Sequence, residues 1–190
     1  MERPPIDGII DRRLLVNYRV DPDVAATLLP RPFRPQLVNS YAVAGICLLR
    51  MTELRPRLLP RWLGLRSENA AHRIAVEWED DGGLHRGVYI PRRDSASIAN
   101  VIVGGRVYPG VHHRAHFDIH ETDQAVAVHL ASNDGSIEVD VEVEVSDRLP
   151  QSRLFADVDD ASRFFECGSV GYSATPDPSR FDGLELRTNA

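Results

Sequence analysis

The sequence contains no lysine; all 22 of its Lys-plus-Arg positions are arginine. That absence excludes Schiff-base chemistry by a side-chain amine, pyridoxal phosphate attachment and a P-loop, and leaves the amino group of Met1 as the sole amine. Lysine depletion beside heavy use of arginine, alanine, valine and aspartate reads as genomic codon bias. Cysteine is scarce: Cys47 and Cys167 are the only two, with no C-x-x-C spacing. A disulfide scaffold and a cysteine zinc site are therefore not expected, and both thiols are read as buried and free in a reducing cytosol. No apolar run approaches the roughly 20 residues needed to span a bilayer, and Met1-Glu2-Arg3-Pro4-Pro5 has no apolar h-region. The expectation is a cytoplasmic chain with no membrane partner and no signal peptide. A basic surplus is also missing. The net charge is -6, which argues against nucleic acid as a partner. There is no G-x-S-x-G, no G-x-G-x-x-G and no EF-hand loop. The sequence calls for no cofactor and no metal.

The chain has 190 residues, of which 43% are hydrophobic and 26% charged, enough for one domain with a proper core. Ile9–Val20 reads as a first strand. Asp21-Pro22-Asp23 then has the form of a helix start, with an N-cap acid and proline in the first turn. A short helix Val24–Leu29 follows, stopped by Pro30 and Pro32. Ser40–Met51 is read as a strand from its β-formers Tyr41, Val43 and Ile46. Arg55–Arg66, with two prolines, reads as an irregular loop able to serve as a lid. Ala71–Glu79 and Leu84–Arg92 are strands joined by the turn Asp80-Asp81-Gly82-Gly83. Ser95–Val103 reads as a short helix ended by Gly104-Gly105. Arg114–His120, Ala125–Ala131 and Ile137–Val145 form a meander, the last alternating valine with Glu138, Asp140, Glu142 and Glu144. Asp159–Phe165 is a helix candidate; Ser169–Ala174 and Leu184–Arg187 are late strands. The architecture expected is mainly β (α+β) with a few short helices.

Three groups carry potential chemistry. His112, Arg114, His116, Asp118 and His120 share one strand face. Residues i and i+4 of a strand lie about 13 Å apart, and Arg114 repels a cation, so a polar strand face is favoured over a metal site. The acidic row Glu138, Asp140, Glu142 and Glu144 reads as a solvated face. The third group is Arg92-Arg93-Asp94, with Arg106 and Tyr108 further along. An arginine can hold a carboxylate with two hydrogen bonds, and the acid can orient it or accept a proton. The alternative reading is a surface salt-bridge cluster with Asp94 capping the next helix.

Several stretches taken in order resemble a known family: Leu14–Pro22 (Leu-Leu-Val-Asn-Tyr-Arg-Val-Asp-Pro), Leu28-Leu29-Pro30, Gly45–Met51, Glu68-Asn69, Tyr89–Asp94 and Arg106–Gly110. They resemble the YqjF-like family, a widespread bacterial domain of unknown function in the acetoacetate-decarboxylase-like superfamily. The resemblance runs from about Arg12 to the C-terminus. It implies an antiparallel cone-like β-barrel of the acetoacetate-decarboxylase-like type, with a small-molecule pocket inside and residues 1–190 forming a single domain. In the decarboxylase a lysine follows a Tyr-Pro pair. The matching pair here is Tyr108-Pro109, followed by Gly110 and Val111, so the Schiff-base residue is absent and the chain is not expected to be an acetoacetate decarboxylase. The resemblance also points to Arg12 or Arg13 and to Asp94. The family pattern continues with more strand after Asp182–Arg187, so the domain is expected to be short at its C-terminus, with an open edge that suits a homodimer.

These observations give a set of candidates: Asp94 and His112 for proton transfer, and Arg12, Asn69, Arg93, Arg106 and Tyr108 for ligand binding. Three functional readings follow. The first is a non-Schiff-base enzyme acting on a small organic or keto acid. The second is a non-catalytic protein that binds such an acid. The third is an interaction or structural module whose barrel is filled by side chains. Fold analogy alone does not choose among them.

Overall fold

The computed structural model describes residues 6–97, 110–149, 152–166, 170–177 and 180–185. The chain is mainly β, as the sequence leads one to expect. Eleven strands order as β1-β4-β5-β6-β7-β8-β9, with β10 joining β6 and β11 joining β10, and with short β2 and β3 against β5 and β4. They are β1 (Ile6–Val20), β2 (Arg34–Pro35), β3 (Leu37–Val38), β4 (Tyr41–Pro56), β5 (Leu65–Asp80), β6 (Gly83–Ser95), β7 (His112–Glu121), β8 (Ala125–Ser132), β9 (Glu138–Glu144), β10 (Val170–Ala174) and β11 (Phe181–Glu185). Among the described residues there are two short helices, α1 (Pro22–Thr27) and α2 (Val158–Glu166). Most pairings that fix register are antiparallel. Two are parallel: β6 with β7 through Arg93–Ser95 and His112–Arg114, and β6 with β10 through Val88–Ile90 and Gly171–Ser173. No helix among the described residues is long and apolar enough to cross a membrane.

Local chemistry accounts for the boundaries. The Asp21 carboxylate accepts from the backbone N–H of Asp23 at 2.9 Å and of Val24 at 3.3 Å, capping α1 as its sequence leads one to expect. The β5–β6 turn forms because Asp80 accepts from the Gly82 N–H at 2.7 Å and Gly83 takes a φ of +105°, open to glycine without strain. The meander β7-β8-β9 keeps strict alternation, Asp118 opposite His129 and His129 opposite Asp140. His129 Nδ1 donates to the Asp140 carboxylate at 2.8 Å, and that contact raises the imidazole pKa above its ordinary value.

Two expectations need correction. The Arg55–Arg66 segment is not an irregular loop throughout. β4 runs on to Pro56, a 3-10 turn covers Arg61–Leu63, and β5 begins at Leu65. The polar residues Glu53 and Arg55 disguised the end of β4, because they are satisfied within the hairpin, where Arg55 donates to the Glu53 and Leu59 carbonyls at 3.0 Å each. Second, Arg93, Asp94 and Ser95 are the end of β6, so the expected helix does not begin at Ser95; the remainder of the expected Ser95–Val103 helix from residue 98 lies outside the described residues.

Contacts divide the chain into two compact units, and β1, β4, β5 and β6 contribute a part of their length to each. The first holds 1–15, 47–71 and 92–145; the second holds 16–46, 72–91 and 146–190. The second has an apolar interior. Val43, Ala75, Leu154 and Phe155 pack with Phe164 and Phe165 of α2, and Ile74, Val76, Trp78 and Tyr89 pack with Phe33, Tyr172 and Phe181. Phe33 sits at the centre of this aromatic group, with ring centroids 5.4–5.8 Å from Trp78, Tyr89, Tyr172 and Phe181.

The close approach of β1 and β4 in this unit requires glycine. A Cβ at Gly45 would lie 2.0 Å from the Val16 carbonyl oxygen, and neither backbone has room to yield. Gly45→Ala is therefore expected to destabilise the protein at the upper end of the about 1–3 kcal/mol typical of overpacking. Gly83→Ala, with open space around it, is expected to cost only the strain of its positive φ. Urea unfolding of the two variants checks the ranking.

Candidate functional site

Polar groups inside a protein need a reason, because burial without compensation costs free energy. Among the described residues nine polar or charged ones are buried, and six of them (Ser67, Arg93, Asp94, Ser95, His112 and Ser132) belong to the first unit. That concentration locates the candidate site. Leu49, Met51, Asn69, Ala70, Ala71, Arg93, Asp94 and His112 line a cavity there, with about 10 Å³ open to the centre of a water molecule. That is room for roughly one water. Four of the residues chosen from sequence thus meet at one place: Asn69, Arg93, Asp94 and His112.

Strand alternation explains the arrangement. Successive side chains of β6 point to opposite faces. Arg92 and Asp94 share one face, and Arg93 and Ser95 the other. On the second face Ser95 Oγ donates to Asn69 Oδ1 at 2.8 Å, and Asn69 Nδ2 donates to Ser67 Oγ at 2.9 Å. The parallel β6–β7 register sets Arg93 level with His112, and both are buried. A guanidinium, a carboxamide and an imidazole bordering one cavity form a set that can grip a carboxylate and move a proton.

Asp94 is 0% exposed, and its carboxylate is held on the first face. Arg92 Nε donates to its two oxygens at 3.1 and 2.9 Å, and Nη2 donates to Oδ1 at 2.7 Å. The same guanidinium reaches Asp134 in the β8–β9 turn, at 2.9 and 3.1 Å. Ser132 and Ser136 hydroxyls donate to Asp134 Oδ1 at 2.7 and 2.6 Å, and His113 Nδ1 lies 3.1 Å from Oδ2. Arg92, followed by these hydroxyls, holds the Asp134 carboxyl well below the usual carboxylate range. Asp94, followed by Asp134, raises the Arg92 pKa in turn.

Arg12, chosen from the family resemblance, lies in a separate network of the same unit. Its Nη2 meets Glu68 at 2.8 Å and its Nη1 meets Glu121 at 3.0 Å. Arg50 bridges the same two acids at 2.7 and 2.8 Å. Glu68 raises the Arg50 pKa, and the hydrogen bond from Arg12 lowers that of Glu121. Arg12 is thus engaged by carboxylates of its own chain. Arg106 and Tyr108 lie outside the described residues. Sequence reasoning missed the bridging parts, Arg50, Glu121, Asp134, Ser132 and Ser136, since nothing local marks a partner that is distant in sequence. Met51 and Leu49 sat in an apolar run with no sign that they border polar groups.

The polar face expected on β7 is present. His116, Asp118 and His120 are exposed, and His112 is buried away from them. The acidic row on β9 is exposed, and Glu138 and Asp140 lie with His129 in a surface group whose ligand atoms are within 4.8 Å of one another. A cavity in the second unit is lined by Asn17, Gln36, Arg73, Val43, Phe164, Phe165 and their neighbours, also with about 10 Å³ open to a water centre. Arg73 is committed there, donating to Asn17 Oδ1 at 2.8 Å and lying 5.0 Å from the Phe165 ring centroid.

Two tests bear on the Arg92 network. Arg92→Met removes the guanidinium from a fully buried carboxylate and is expected to destabilise by about 3 kcal/mol or more, read by urea unfolding. Asp134→Asn tests the depressed carboxyl. A folded-state pKa below the unfolded one contributes stability that is complete above the unfolded value and is lost as pH falls through the folded one. The melting-temperature gap between wild type and Asp134→Asn is expected to be constant near neutrality and to begin narrowing below about pH 4.

Comparison with known proteins places the fold. The chain is similar to the acetoacetate decarboxylase of Legionella pneumophila subsp. pneumophila str. Philadelphia 1, with a TM-score of 0.56 and 15% identity over 90% of this chain and 59% of that one. The chain therefore spans less than two thirds of the length of that relative, and the likeness bears on fold alone. It supports the acetoacetate-decarboxylase-like architecture, with a barrel as an approximate description of a large sheet whose described pairings run from β1 to β9. No curated protein matches the chain. A family model, DUF2071, described as an uncharacterized conserved protein (COG2071), matches residues 10–167. The YqjF-like resemblance read in the sequence and this match agree: the chain belongs to the DUF2071 family.

Proposed function

We propose that the cavity of the first unit is the binding site of a small organic or keto acid. The observation that carries this reading is the meeting of Asn69, Arg93, Asp94 and His112 at one cavity, in the unit that holds most of the buried polar groups. Arg93 grips the carboxylate, and Asn69, held between Ser67 and Ser95, sets the polar wall beside it. His112 is the group set for proton transfer. Asp94 acts through Arg92, positioning the strand that carries Arg93. With no lysine in the chain, turnover at this site proceeds by acid–base steps without an imine. A ligand larger than a water must displace Met51, whose unbranched thioether is the most adaptable side chain of the lining.

The contrasting reading, a filled interior with no ligand, draws on the same cavity's size of about one water. A thermal-shift screen against small carboxylic and keto acids separates them, with Arg93→Ala and Met51→Ala beside the wild type. An acid at 100 times its dissociation constant is expected to add about 2.7 kcal/mol, or roughly 5–10 °C for a chain of this size. The shift is expected to vanish in Arg93→Ala and to persist or grow for bulkier acids in Met51→Ala. If no acid moves the melting point of either protein, the interior is filled and the binding reading fails. Loss of substrate signals by NMR, abolished in His112→Gln, then distinguishes an enzyme from a binder.

A further inference from the structure

Exposed large hydrophobic side chains gather at one place in the first unit. Leu58 is 95% exposed and Trp62 80%, and Leu59, Leu63 and Leu65 are exposed beside them at the tip of the β4–β5 hairpin. Single apolar residues are ordinary on a surface, but a contiguous group rimmed by polar residues marks an interaction site. The tip is a built feature. Glu53 takes a φ of +52°, Gly64 packs so closely that a Cβ would lie 2.4 Å from the Glu53 Cα, and Arg55 holds the Leu59 and Glu53 carbonyls. These contacts keep Leu58 and Trp62 outward.

The rim is basic. Arg55, Arg57, Arg61 and Arg66 stand in the tip, and no acid occurs between Glu53 and Glu68. Over residues 53–66 four arginines against Glu53 leave +3, in a chain whose net charge is -6. Arg57 pairs with the half-buried Asp7 at 3.0 Å and Arg61 approaches the half-buried Glu53 at 3.6 Å, while the three arginines Arg57, Arg61 and Arg66 are exposed; with Asp7 counted the tip keeps +2 and presents positive charge to a partner. Two such tips meeting in a symmetric dimer would set like charge against like charge.

We infer that this tip seats on an anionic lipid surface. Trp62, Leu58 and their neighbours enter the boundary between headgroups and acyl chains, and Arg57, Arg61 and Arg66 meet the lipid phosphates. The lack of a spanning segment bears on crossing a bilayer, and not on a tip that rests at its surface. This contact is independent of the cavity and of any ligand in it.

The test mixes the purified chain with vesicles of phosphatidylcholine alone, or of phosphatidylcholine with phosphatidylglycerol, at low ionic strength. Flotation and tryptophan emission are read together. The chain has two tryptophans, and Trp78 is 9% exposed within the aromatic group, so a blue shift and quenching by brominated lipid report Trp62. Binding is expected only with phosphatidylglycerol, about fivefold weaker for each of Arg57→Gln, Arg61→Gln and Arg66→Gln. It is expected to be lost in Leu58→Ser/Trp62→Ser, whose melting temperature stays at the wild-type value because both side chains are exposed. Three results overturn the inference: no capture by phosphatidylglycerol vesicles, capture that survives Leu58→Ser/Trp62→Ser, or a Trp62-dependent dimer in sedimentation velocity that excludes vesicles.

Discussion

A carboxylate with no exposed surface must have its charge met at close range, and Asp94 imposes that condition on the first unit. Arg92 meets it, two residues away on the same strand face, through both oxygens at once. The guanidinium is then fixed, and its remaining donors reach Asp134 and Ser136 in the β8–β9 turn. The end of β6 is thereby tied to the far side of the meander. Because successive strand residues alternate in direction, committing Arg92 and Asp94 to one face commits Arg93 and Ser95 to the other. There Arg93 lies level with His112, and Ser95 is bonded to Asn69. The chemistry of the cavity follows from where the charge of Asp94 is satisfied.

Arginine suits this role in a way lysine would not. Each of Arg12, Arg50 and Arg92 divides its donors between two or more acids, which a planar five-donor fork allows and an ammonium matches poorly. Arg12 on β1, Arg50 on β4, Glu68 on β5 and Glu121 on β7 thus link four strands of the first unit by charge. The second unit is held differently, by Phe33 among four aromatic rings and by α2 packing Phe164 and Phe165 onto Val43 and Ala75. With arginine at every Lys-plus-Arg position, the chain has the side chain that the polar unit needs.

Local pattern made much of the fold legible. The β7-β8-β9 meander alternates with period two, and the turn Asp80–Gly83 carries its own acid and glycine. Asp21-Pro22 announces α1. Reading failed where polar residues continue a strand inside a satisfied network: Glu53 and Arg55 at the end of β4, Ser67, Glu68 and Asn69 at the start of β5, and Arg93 to Ser95 at the end of β6. Each of these looks like a loop in sequence, because the partner that makes it tolerable on a strand is not nearby in the chain. Of the site, Arg93 and Asp94 were nameable from their charged run, His112 from its histidine-rich strand and Asn69 through a family resemblance. The division of Arg93 and Asp94 between two faces of β6 was not.

The sequence by itself determined that no side-chain amine is available for covalent chemistry, that the architecture is mainly β, and where the tight turns fall. These depend on residue types or on neighbours within a few positions, and no tertiary contact alters them. The tertiary structure decided which charges meet. Arg12 finds Glu121 across 109 residues and Arg92 finds Asp134 across 42. Such pairs exist only once distant strands have taken their register, and that register follows from burial summed over the whole unit, with no single local motif to announce it.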